Sequence, residues 1–164
     1  MPAFSPDVPA DEWPLSDEGR AAAVALAADL PAGALLVAST EPKAYRTLEP
    51  AGPVLRDRRF GEVRREGEPW DGPFRELRRA YVSGADHPGW EPRSAVASRF
   101  EVGVREHLAA ADGRPMVVAS HGMAMTVWLC TRLELPDPGQ FWVDLRFPDA
   151  LTVDLATGTI QRRS

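Results

Sequence analysis

The chain is poor in several things at once, and each shortage removes a class of explanation. Of its 164 residues only Cys130 is a cysteine, so no internal disulfide can form and no secretory cysteine framework exists. No run of eighteen apolar residues and no charged-then-apolar leader is present, so neither a membrane span nor a signal peptide is expected. A cytoplasmic location follows as the default expectation. Lysine is almost missing, with Lys43 the sole example among otherwise arginine cations. The net charge of -5 carries no compensating basic stripe, which argues against a nucleic-acid partner. There is no Gly-x-Ser-x-Gly elbow for an α/β-hydrolase and no Gly-x-Gly-x-x-Gly for a dinucleotide fold. The three histidines, His87, His107 and His121, show no ligand spacing, so no metal or other cofactor is expected.

What remains is a chain with 44% hydrophobic and 26% charged residues, long enough to bury one core. Its most informative stretch runs from Pro115 to Met125. Met116 to Ser120 reads as a short buried strand, His121-Gly122 breaks it, and Met123 to Leu133 reads as a helix. A histidine at the carboxyl end of a strand, opening a helix, lies where open α/β sheets bind ligands. The free N–H groups and positive dipole end of the following helix make that spot receptive to an anion. The bland alternative is a histidine that only caps its own helix. Gly122, lacking a side chain, lets a ligand approach closely.

The same strand-turn-helix pattern recurs earlier. Ser16 reads as an N-cap ahead of an alanine-rich helix over Arg20 to Leu30, with Val24, Leu26, Ala27 and Leu30 as its apolar positions. Ala34 to Ala38 is an apolar run, as a buried parallel strand requires. Ser39-Thr40-Glu41-Pro42 then opens a helix to about Leu48, because proline suits the first helical turn. Lys43 or Arg46, one turn in, could meet an anion at the strand ends. Val54 to Arg58 is a candidate short strand, and Glu62 follows in a loop where a carboxylate near an anion could act as an acid. Residues 60–93 are rich in Gly and Pro, with one helix near Phe74 to Tyr81. Trp70, Tyr81 and Trp90 there either line a substrate mouth or simply pack the insertion. Ala95 to Ala110 repeats Val96, Phe100, Val104 and Leu108 at helical spacing. Phe141 to Arg146 and Ala150 to Leu155 read as two late strands, followed by a Thr157-Gly158 turn. Alternating strands and helices predict one α/β domain over 1–164, a three-layer α/β/α sandwich around a mostly parallel sheet, with a loop-rich cap insertion at about 63–93.

In order, these pieces resemble the histidine phosphatase superfamily, the phosphoglycerate mutase-like fold. Leu15-Ser16-Asp17-Glu18-Gly19-Arg20 looks like the family's Leu-Ser/Thr-x-x-Gly helix start. Lys43-Ala44-Tyr45-Arg46-Thr47 corresponds to its Arg-Ala-x-x-Thr, with Lys43 in the arginine's place, so a bidentate fork becomes a point charge. Arg58-Arg59-Phe60-Gly61-Glu62 resembles the segment carrying the acid/base glutamate, which puts that role on Glu62. Gly89-Trp90-Glu91 with Arg99 looks like the Gly-Glu-Ser segment and its later arginine, and Val117 to Gly122 matches the second-histidine motif. The resemblance spans most of residues 13–155.

One departure is larger than the lysine. The family begins with a buried strand ending in Arg-His-Gly or Arg-His-Ala, whose histidine is the nucleophile. Here Met1-Pro2-Ala3 stands where the loop after that motif should begin, and no histidine precedes His87. The favoured expectation is that Met1 is an internal methionine of a longer chain with roughly ten more residues ahead of it. The others are a true truncation that binds without turnover, or a late strand or partner chain that fills the gap. The resemblance implies metal-free hydrolysis of a phosphomonoester through a phosphohistidine, with His121 and Glu62 catalytic and Lys43, Gly122 and Ser39 binding phosphate. The chain as written is then expected to be inactive. The alternatives are a pseudo-enzyme that senses a phosphorylated metabolite, and a mutase-type phosphoryl transfer. The implied partner is a small phosphorylated substrate or free phosphate, with no nucleic acid and no membrane; a homodimer is left open.

Overall fold

The computed structural model describes residues 2–3, 8–68 and 72–163; Met1 and Trp70 lie outside them. Ser16 caps the first helix, α1 (Asp17–Asp29), by accepting the Gly19 N–H at 3.1 Å. Then come β1 (Leu35–Ala38), α2 (Pro42–Leu48) and the two-residue β2 (Leu55–Arg56). The Gly/Pro-rich segment holds α3 (Phe74–Val82), and α4 (Arg93–Ala111) follows it. The chain continues through β3 (Met116–Ala119), α5 (Gly122–Leu129), α6 (Pro138–Val143), β4 (Leu151–Asp154) and β5 (Thr159–Arg162).

Strands β2, β1 and β3 form a parallel sheet in that order, with Val37 opposite Val118 and Ala38 opposite Ala119. Because side chains alternate along a strand, this short sheet feeds two cores. Leu35, Val37, Met116 and Val118 join Val96, Phe100 and Val104 of α4 and the apolar body of α5. Leu36, Ala38, Val117 and Ala119 join Leu48 and Tyr45 of α2 and Leu30 after α1. Helices therefore cover both faces, and the α/β/α layering expected from the sequence is realised. Helix α1 buries Gly19 and Ala23 rather than the larger residues expected to face inward, and Val24 is exposed.

Two expectations change. The stretch from Phe141 is not a strand, and its first three residues close a helix: Asp137 caps α6 by accepting the Gln140 N–H at 2.8 Å, and Pro138 occupies its first turn. The alternation of Phe141, Val143 and Leu145 imitates a strand, but the Asp-Pro start decides the matter. Second, β3 is only half-buried at all four positions. Among the described residues no strand pairs with its outer edge, and β4 and β5 form a separate antiparallel hairpin. An open edge on a short apolar parallel strand leaves backbone groups without ladder partners.

Candidate active site

The carboxyl ends of β1 and β3 lie side by side: the Ser39 N–H donates to the Ala119 carbonyl at 2.9 Å. His121 follows β3 directly and is extended (φ -125, ψ 153), with no side-chain cap to α5. Its ring is buried, and Nε2 lies 3.1 Å from Glu41 Oε1, close enough for an ion pair yet outside hydrogen-bond geometry. The imidazole thus faces the Glu41 carboxylate.

Glu41 is the residue the sequence did not single out. The turn after β1 is set by Ser39, whose fully buried hydroxyl accepts the Glu41 N–H at 3.2 Å, and by Pro42 at the start of α2. That turn directs Glu41 inward. Its Oε1 accepts the Glu62 N–H at 2.8 Å, and its Oε2 pairs with Lys43 Nζ at 2.7 Å. Burial pushes the Glu41 carboxyl up, but His121, the Glu62 N–H and Lys43 more than offset it and bring it down to about 2. Lys43 also donates to the Ala10 carbonyl at 2.6 Å, so the chain's own oxygens already engage it on two sides.

Glu62 sits at the start of α5. Its Oε1 accepts the N–H groups of Val63 at 2.9 Å and Ala124 at 3.0 Å, and Oε2 lies 3.5 Å from the Met123 nitrogen. The carboxylate therefore fills the anion-receptive helix end foreseen from the sequence. The loop bearing it is held from behind. Arg99 donates to the carbonyls of Arg59, Gly61 and Glu62, and forms two bonds with the buried carboxylate of Glu91, from Nε at 2.8 Å and from Nη2 at 3.1 Å. Ser120 Oγ adds a 2.8 Å bond to the Phe60 carbonyl.

The structure brings His121, Lys43 and Glu62 together and adds Glu41. Ser39 has its hydroxyl engaged in the turn, where it positions Glu41. A Cβ on Gly122 would meet Trp142 Nε1 at 3.1 Å and Leu145 Cδ1 at 3.3 Å, so α6 packing is one reason for a glycine there. Arg46 lies at the last turn of α2 and has a guanidinium near the Tyr45 ring. The other two histidines are elsewhere: His107 Nε2 is 2.9 Å from Asp57 Oδ2, and His87 Nε2 is 2.9 Å from the Leu77 carbonyl, against Trp90. Tyr81 and Trp90 are buried and pack the insertion, with Tyr81 donating to the Glu91 carbonyl. Among the described residues, no group of three or more His, Cys, Asp or Glu is arranged to hold a metal, and no helix is long and apolar enough to cross a membrane.

A parallel sheet with a buried histidine after one strand and a lysine-bearing turn after its neighbour defines a class, and comparison with known proteins agrees with it. The family model described as histidine phosphatase superfamily (branch 1) matches residues 8–153, and the chain belongs to that family. Among solved structures, it is 26% identical to a mycobacterial glucosyl-3-phosphoglycerate phosphatase determined with VO3, over 93% of this chain and 87% of that one, with a TM-score of 0.64. It is 29% identical to a protein titled mycobacterial hydrolase 1, over 80% of this chain and 74% of that one, with a TM-score of 0.60. The protein TTHB049 from Thermus thermophilus is 26% identical, over 93% of this chain and 86% of its own, with a TM-score of 0.64. No curated protein matches the chain by sequence.

Proposed function

We propose that this chain binds the phosphoryl group of a small phosphomonoester at the carboxyl ends of β1 and β3. The observation that carries the reading is His121: it is buried, follows β3 and opens α5, with Nε2 3.1 Å from Glu41 Oε1. Lys43 supplies the nearby positive charge. Glu62 stands within the same cluster as the acid that protonates a leaving oxygen and then activates water. The insertion at about 63–93, whose described part holds the single helix α3, is short enough to favour hydrolysis over retention and return of the phosphate. The single free thiol of Cys130 fits a reducing, cytoplasmic setting.

Turnover through a phosphohistidine needs a second imidazole facing His121. His87 and His107 are engaged elsewhere, so residues 1–164 bind phosphate without transferring it. In a form that carries the nucleophilic strand, the open edge of β3 is where it adds. Calorimetry with inorganic phosphate, beside a phosphate-release assay on a phosphomonoester, tests the proposal. Binding that is lost in His121→Ala, with no release, is expected. A burst of phosphate abolished by His121→Ala would contradict the inactivity of this chain, and no binding would contradict the site.

A further inference from the structure

A phosphate dianion arriving at His121 meets donors that the protein has already occupied. Glu41 takes the Lys43 ammonium at 2.7 Å and the Glu62 N–H at 2.8 Å, and lies 3.1 Å from His121 Nε2. Glu62 takes the Ala124 N–H at 3.0 Å. One ammonium therefore stands against two carboxylates. Glu41 is not a surface residue caught in passing: its side chain is 12% exposed and that of Lys43 is 21% exposed. The turn that aims it inward is fixed by the buried Ser39 hydroxyl.

We infer that Glu41 is a built-in competing anion, a specificity-determining residue that holds Lys43 away from the phosphoryl group and sets the affinity of the site. The inference rests on the proposed phosphate site at His121. Two consequences follow from Coulomb's law in a partly screened pocket. Phosphate binds weakly, because each contact to Lys43 must be taken from Glu41. Neutralising Glu41 without changing its shape tightens binding, because Lys43 is released and a repulsive charge is removed. A purely structural role gives the opposite sign, since loosening the turn would misplace His121 and Lys43.

The test is calorimetric titration of residues 1–164 with inorganic phosphate, using the wild type, Glu41→Gln and the double variant Glu41→Gln/Lys43→Gln, with melting curves to confirm folding. Glu41→Ala serves if the glutamine variant does not fold. Binding about tenfold tighter in Glu41→Gln, returning to about the wild-type level in the double variant, is the expected result. If the wild type binds in a His121-dependent way and Glu41→Gln binds equally or more weakly, the inference is overturned while the phosphate site stands. If neither protein binds phosphate, the site itself falls and the inference with it.

Discussion

Arg99 is gripped by the buried carboxylate of Glu91 and in turn grips the backbone on which Glu62 is mounted. Glu91 is 2% exposed at its side chain, and the guanidinium reaches three carbonyls within four residues of chain. Burial raises the Glu91 carboxyl, and the Arg99 bonds and charge outweigh it to lower it. Removing one partner strands the other without compensation. Arg99→Met and Glu91→Gln should each lose about 3–5 kcal/mol of unfolding free energy in urea titrations. A loss below about 1 kcal/mol would show that the pair does not organise the loop.

The Glu62 carboxylate closes the start of α5, and that contact is separable from any chemistry. Glu62→Ala should cost about 1–2 kcal/mol, as losses of helix caps and dipole partners do. Chemical denaturation is the check. Unchanged stability would mean that the α5 N–H groups are served equally well by water.

Acid should unfold this protein through particular groups. Glu41 is lowered to about 2, as burial is outweighed by His121, the Glu62 N–H and Lys43. Asp57 is also lowered well below the usual carboxylate range, with burial outweighed by bonds from Arg59 and His107. A carboxyl whose folded pKa is depressed stabilises the fold above its unfolded value and loses that contribution as pH falls through the folded one. Stability should therefore decline between about pH 4.5 and pH 2. Asp57→Asn and Glu41→Gln should each flatten that decline in pH-dependent melting curves; an unchanged slope would remove those groups from the account.

Gly103 is the point on α4 where the helix meets the Phe60 ring. A Cβ there would lie 2.9 Å from Phe60 Cζ, and Phe60 is fully buried. Gly103→Ala gains helix propensity but must displace an aromatic ring, and overpacking of this kind costs about 1–3 kcal/mol. A lower melting temperature is expected; a higher one would mean that the ring moves aside freely.

Much of this architecture is legible in local sequence because turn chemistry and periodicity agree there. Ser16 ahead of an alanine-rich run, Ser39 to Pro42 after an apolar strand, and His121-Gly122 after β3 all mark element ends with residues that satisfy or free a backbone group. Glu41 is not legible in the sequence because its importance is tertiary: it contacts His121, distant in sequence, and the Glu62 N–H. The local signal was Pro42, which places the residue before it at the helix cap. The stretch at 141–146 reads as a strand because Phe141, Val143 and Leu145 alternate, while the stronger Asp137-Pro138 signal lies just upstream. The half-exposure of β3 could not be read from its composition, since Met116 to Ala119 is as apolar as a strand with neighbours on both sides.

The most direct test of the phosphate site is residue-resolved. Inorganic phosphate is titrated into isotopically labelled residues 1–164 while backbone amide resonances are followed. Shifts concentrated at Lys43, Glu62 and His121 to Ala124, and absent in His121→Ala, are the expected result. Shifts confined to the 430 Å³ cavity between α1 and the β4–β5 hairpin, lined by Arg146, Arg162 and Arg163, would contradict it, as would no shifts at all.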